Sequence, residues 1–171
     1  MGQYYKFIIL YENNEILLVL NPHDFYQGAK LMEHAYINNL IANTIEFLLS
    51  PYCEQYHKSH CVMAGDYADN EDDDDGNLYS IARNYHSHQQ AYKNININYI
   101  VNHTKKMYVD KTKLNTKIHP LLLLIAEGNG KGTGDYHGSD YHLVGSWSRD
   151  LISMEFNKPD GYTELETDFD K

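Results

Sequence analysis

Cysteine is nearly absent from this chain. Only Cys53 and Cys61 occur in 171 residues, too few for the disulfide framework that staples small secreted domains, so the protein is expected inside the cell. Basic residues are also scarce, with 14 Lys and Arg against 24 Asp and Glu and a formal net charge of −10. A polyanion would meet an opposing mean field, so no nucleic acid is expected as a partner. No apolar run approaches the roughly 18 residues that cross a bilayer. The opening, MGQYYKFIIL, lacks the basic, apolar and cleavage regions of a secretory leader, and Lys6 stands where myristoylation calls for Ser or Thr. No membrane partner is expected, and the expected place is the cytoplasm. There is one tryptophan, Trp147, read as a core residue. No repeat of solenoid length occurs.

What the chain does contain suffices for a single core, since 42% of it is hydrophobic. Its sixteen tyrosines bring apolar area with a polar tip, suited to a core rim or a binding surface. Residues 1–157 are expected to form one globular domain, and 158–171 an acidic, flexible C-terminal tail.

Residues 3–11 and 16–20 read as paired strands joined at Asn13-Asn14, because asparagine tolerates the positive φ of a tight turn. Their nearly continuous apolar content predicts cover on both faces. Leu31, Ala35, Asn38, Ala42, Ile45 and Leu49 recur at spacings of three and four. That period predicts one long helix from Lys30 to Leu49, stopped by Ser50-Pro51. Residues 61–65 read as a short buried strand, and a shorter helix is expected within 78–90. A second hairpin is expected from 95–101 and 107–110, and a last strand at 151–156. Residues 118–126 read as a central strand, with a short buried helix as the competitor. The expected class is α+β, a mostly antiparallel sheet of about six to seven strands packed on one long helix and one shorter helix.

Taken together, the words MGQYYK, NPHDF, KLMEHAY, AGDYAD, YIVNHTKKMYVD, IHPLLLLIAEGNGKGTGDYHG and VGSWSRDLISME resemble a set of uncharacterised proteins from bacteria, their viruses and some single-celled eukaryotes. The resemblance covers most of the chain and implies no particular activity. A viral member of such a set would work in the host cytoplasm. YIVNHTKK also resembles the central hairpin of WW domains, but their paired tryptophans and proline are missing, so shared hairpin chemistry accounts for it.

The segment 118–142 holds the sharpest contrast in the chain, its most apolar run leading straight into a glycine-dense loop. A buried element that delivers a polar loop is the usual build of a binding edge. Gly130, Gly132, Gly134, Asp135 and Tyr136 are the candidate ligand-binding residues. A phosphate-cradling loop would need its lysine followed by Ser or Thr and then a helix. Here Lys131 is followed by Gly132, and Asp135-Tyr136-His137-Gly138 is a poor helix start.

Gly65-Asp66-Tyr67 and Gly134-Asp135-Tyr136 repeat one word, each soon after an apolar run and each with a further carboxylate close behind, Asp69 and Asp140. If the two runs lie side by side, the carboxylates meet at one end of the sheet. Paired carboxylates split their pKa values and serve as acid and base, or hold a divalent cation. Asp66, Asp135 and His137 are the acid–base candidates; Asp66, Asp69, Asp135 and His137 are the metal candidates, with a divalent cation as the implied cofactor. The competing reading is that aspartate after glycine caps its own turn.

Other groups carry weaker patterns. His34 falls on the expected helix, where a core histidine is more often structural than a ligand. Cys53, His57, His60 and Cys61 have a zinc-like composition, but adjacent His60 and Cys61 point to opposite faces of a strand. The acidic run 71–76 has an EF-hand-like start and places Ala82 where a bidentate Glu is required. Three functions remain open: a small module binding a polar small molecule or a protein through the glycine loop, a small metal-assisted or acid–base hydrolase, and a structural protein without a site.

Overall fold

The computed structural model describes residues 3–128 and 132–170. β1 (Tyr5–Leu10) and β2 (Ile16–Leu20) form an antiparallel hairpin, turned by Asn14 at φ 67°. Their side chains are buried almost throughout, as two-faced cover requires. One face enters the main core. Ile8, Leu10, Ile16 and Val19 on the other face pack against Leu78 and Ala82.

The long helix expected from Lys30 to Leu49 is two helices, α1 (Leu31–His34) and α2 (Leu40–Leu48). The apolar spacing runs through the break, but the backbone does not. Asn38 takes φ 70°, and Asn39 caps α2 by accepting the Ala42 N–H at 2.8 Å. Asparagine side chains favour caps over helix interiors for this reason. Between the helices, Tyr36 bridges Ile118 and Ile37 N–H donates to Lys117 at 2.8 Å. Tertiary pairing thus replaces the missing helical turn.

β3 (Ser59–Gly65) pairs antiparallel with β1. α3 (Leu78–Ile81), capped by Asn77, continues as a 3₁₀ turn through Asn84, shorter than the sequence suggests. β4 (Tyr99–Asn102) and β5 (Met107–Asp110) make the second hairpin. The run expected as a central strand is a helix, α4 (Pro120–Leu124), with Pro120 in its first turn and every residue buried. Proline suits that position because its missing N–H has no helical partner there. A helix apolar all round belongs inside a core. Beyond the helix, β6 (Ala126–Glu127) is the short strand that remains.

β7 (Leu151–Glu155) and β8 (Thr163–Glu164) complete one sheet ordered β2-β1-β3-β7-β4-β5-β8, with β6 beside β3 off that path. Residues 158–171 were expected to form a flexible tail; within them β8 pairs with β5, and Phe169 is fully buried against Tyr136. Among the described residues no helix is long and apolar enough to cross a membrane.

Two pairings of β3 position the site. At its start, Ser59 and His60 face β7. At its end, Met63 and Ala64 face β6 in parallel. β3 and β6 therefore leave the sheet at the same end, one into Asp66 and the other into the glycine-rich loop.

Candidate functional site at one end of the sheet

The two Gly-Asp-Tyr words do follow neighbouring elements. Tyr5 lies opposite Gly65 in the β1–β3 ladder. A Cβ on Gly65 would sit 2.7 Å from the Glu127 carbonyl oxygen and 3.0 Å from the Tyr5 ring. From above, Gly134 closes over the same phenol at φ +61°, where a Cβ would lie 2.9 Å from the Tyr5 hydroxyl. Glycine is required at both places, at Gly65 by space and at Gly134 by space and backbone alike. Gly134 thus lies against Tyr5, which is fully buried and donates its hydroxyl to Gln3 Oε1 at 3.2 Å.

Asp66 and Asp135 both act on this phenol. Burial first, then Asp135 and Asp66, raise the Tyr5 pKa well above its ordinary value, so the hydroxyl stays protonated. Each carboxylate is also tied to backbone. Asp66 Oδ1 accepts the Tyr4 N–H at 2.9 Å, and the Asp66 carbonyl accepts from Asn77. Asp135 Oδ1 accepts the Met32 N–H at 2.9 Å, a bond between residues 103 apart in the chain that caps the first turn of α1. His34 at the end of that helix is buried, with Nδ1 donating to the Gly28 carbonyl at 3.0 Å. Its Nε2 has no hydrogen-bond partner among the described residues. Burial lowers its pKa to about 4, against the opposing pull of the Gly28 carbonyl, Asp135 and Glu33.

Asp135, Tyr136 and His137 line a cavity of about 230 Å³ with Met32 and Gly138. Tyr136 is held from beneath, its ring edge-on to Phe169 at 5.6 Å and its hydroxyl donating to the Ser139 carbonyl. His137 is exposed, and so is Asp69 on the far side. Gly132 is described and half-buried, whereas Gly130 and Lys131 lie outside the described residues. Among the described residues no group of three or more His, Cys, Asp and Glu side chains is placed to hold a metal ion. Asp66, Asp69, Asp135 and His137 therefore do not assemble as the metal ligands that their spacing suggested. The capping bonds explain why: the two inner carboxylates turn toward backbone N–H groups, and the two outer side chains turn toward water.

The zinc-like set also disperses. His57 pairs with Glu155 at 2.7 Å, and His60 bonds the Arg149 carbonyl. Cys61 is buried, with its thiol pKa raised by burial and then by Asp150. Glu71, from the EF-hand-like run, is bound by Arg149, which also grips Glu127.

Two clusters escaped the sequence reading. Under α2, Glu46 is 2% exposed and bonded to Lys111 Nζ, with His119 Nε2 at 3.5 Å. One signal was present: Glu46 is the single charged residue in the apolar-rich stretch 40–49. On the β4–β7 side, His103 bonds Ser153 Oγ at 2.7 Å and the Tyr162 hydroxyl at 3.0 Å. That trio is set by strand register and has no local signature.

Comparison with family models, curated proteins and solved structures gives no match to this chain.

Proposed function

We propose that this protein is a small binding module that holds a small polar ligand at the β3–β6 end of the sheet. The observation that carries the reading is the cavity lined by Asp135, Tyr136 and His137, set beside a carboxylate anchored at a helix start. At about 230 Å³ it lies just below the usual range for small-molecule pockets, roughly 300–1,000 Å³. The ligand is therefore small. Asp135 keeps one carboxylate oxygen beyond its bond to Met32, so the favoured ligand carries hydrogen-bond donors or a positive charge. Gly134 serves the same end by lying close against Tyr5.

The test uses amide NMR on the whole chain with methylguanidinium, glycinamide and glycerol as probes and acetate as the anionic control. The donor-rich probes are expected to move the Met32, Tyr136 and Gly138 resonances. Asp135→Asn keeps an acceptor for the Met32 N–H but removes the charge. It should weaken the cationic probes about 2–5-fold, the worth of one partly exposed charge pair. Silence at those amides, or unchanged binding in Asp135→Asn, contradicts the reading.

A further inference from the structure

A second cavity, of about 300 Å³, lies on the sheet face formed by β4 and β7 and is closed by the chain after β7. Pro51, Val101, Phe156 and Pro159 give it apolar walls, and His103 and Glu155 are its titratable groups. This composition, mostly apolar with a few fixed polar groups, is what small-molecule sites usually have. The polar groups are built in. His103 is held at both ring nitrogens, by fully buried Ser153 and by Tyr162, and the Tyr162 ring meets it edge-on at 5.7 Å. Glu155 is held through Oε2 by His57 at 2.7 Å. At the mouth, Phe156 is 38% exposed and extends the apolar wall by meeting Tyr52 edge-on at 5.4 Å.

The charge of the lining selects the occupant. Burial and then Lys58 lower the His103 pKa, with Glu155 pulling the other way. The ring is therefore neutral near pH 7, and among the described residues Glu155 is the one formally charged residue in the lining, with Lys58 acting on His103 from outside it. An apolar pocket with a single carboxylate complements an ammonium group on an apolar body, and the net charge of −10 draws such a cation toward the protein.

We infer that this cavity is a second binding site, separate from the glycine loop, for a small primary amine with an aromatic or aliphatic body. The body packs on Phe156, Val101 and the two prolines, and the ammonium sits on Glu155.

The experiment titrates the whole protein with phenethylamine, and with 2-phenylethanol and phenylacetate as its neutral and anionic counterparts. Binding is read from the Val101 methyl and His103 ring resonances. The amine should bind about 2–5-fold more tightly than the alcohol, the worth of one partly exposed ion pair. Glu155→Gln, which retains an oxygen for His57, should bring the amine down to the level of the alcohol and leave the alcohol unchanged. Phe156→Ala, at a partly exposed position that does not threaten the fold, should weaken amine and alcohol alike. The inference is overturned if no probe moves those resonances, if phenylacetate binds most tightly, or if shifts appear only at Met32 and Tyr136. It is also overturned if amine binding survives both substitutions unchanged.

Discussion

The sheet end around Tyr5 and the cluster under α2 use charge in opposite ways. At the sheet end, Asp66 and Asp135 are partly exposed, and each is bonded to a backbone N–H contributed by a distant segment. Their charge is affordable because water still reaches it. Under α2, Glu46 and His119 are almost sealed from solvent and Lys111 nearly so. That charge survives only because its partners are in place. The difference teaches where function has room. A partly exposed carboxylate at the edge of a cavity has room to meet a ligand, whereas a sealed ion cluster is committed to the fold.

The comparison can be broken most severely at Glu46. Glu46→Ala strands Lys111 and His119 without their carboxylate and should cost about 3–5 kcal/mol in urea unfolding at pH 7. Burial alone would push the Glu46 carboxyl up, but His119 and Lys111 outweigh it and hold the pKa below its ordinary value. The stabilisation is therefore full above the unfolded-state pKa of about 4.3 and is lost as pH falls through the lower folded-state value. Glu46→Gln should flatten that acid limb.

His34 comes next. Its folded pKa of about 4 lies below an unfolded value of about 6.5, so the unfolded chain takes up the proton first. Stability should fall by about 3 kcal/mol as pH drops from about 6.5 to about 4, and His34→Gln should remove that slope. Gly65→Ala presses a methyl against the Glu127 carbonyl and should cost about 1–3 kcal/mol, read as a lower Tm. Asp135→Ala removes the acceptor at the start of α1 and should cost about 1 kcal/mol, with Asp135→Asn costing less. The smallest effect belongs to the exposed pair: Asp69→Ala and His137→Ala should each stay within about 0.5 kcal/mol of the parent. If Asp69→Ala matched Glu46→Ala, the contrast between the two regions would be wrong.

Much of the sheet was legible because strand periodicity and turn residues are local. Asn13-Asn14 marked the first hairpin, and the strands near Cys61, Tyr99, Met107 and Leu151 lie where β-branched and apolar residues cluster. The long helix failed because apolar spacing records which side faces the core, and that spacing persists across Asn38-Asn39 although the helix does not. The 120–124 helix was ambiguous for a related reason: an all-apolar run has no periodicity to separate strand from helix. At the site, the repeated word pointed to Asp66 and Asp135, which both act on Tyr5, but their anchoring to Tyr4 and Met32 had no local sign. A bond from residue 135 to residue 32 exists only once β6 lies beside β3. Phe169 reads as part of an acidic tail for the same reason, since nothing nearby in the chain announces its slot beside Tyr136.

The most direct measurement is hydrogen–deuterium exchange of the whole chain with and without methylguanidinium. The account predicts slower exchange at residues 31–34 and 132–138, with exchange around Glu46 and Lys111 unchanged. Equal protection in both regions, or none at residues 132–138 at concentrations that saturate any binding, would contradict it.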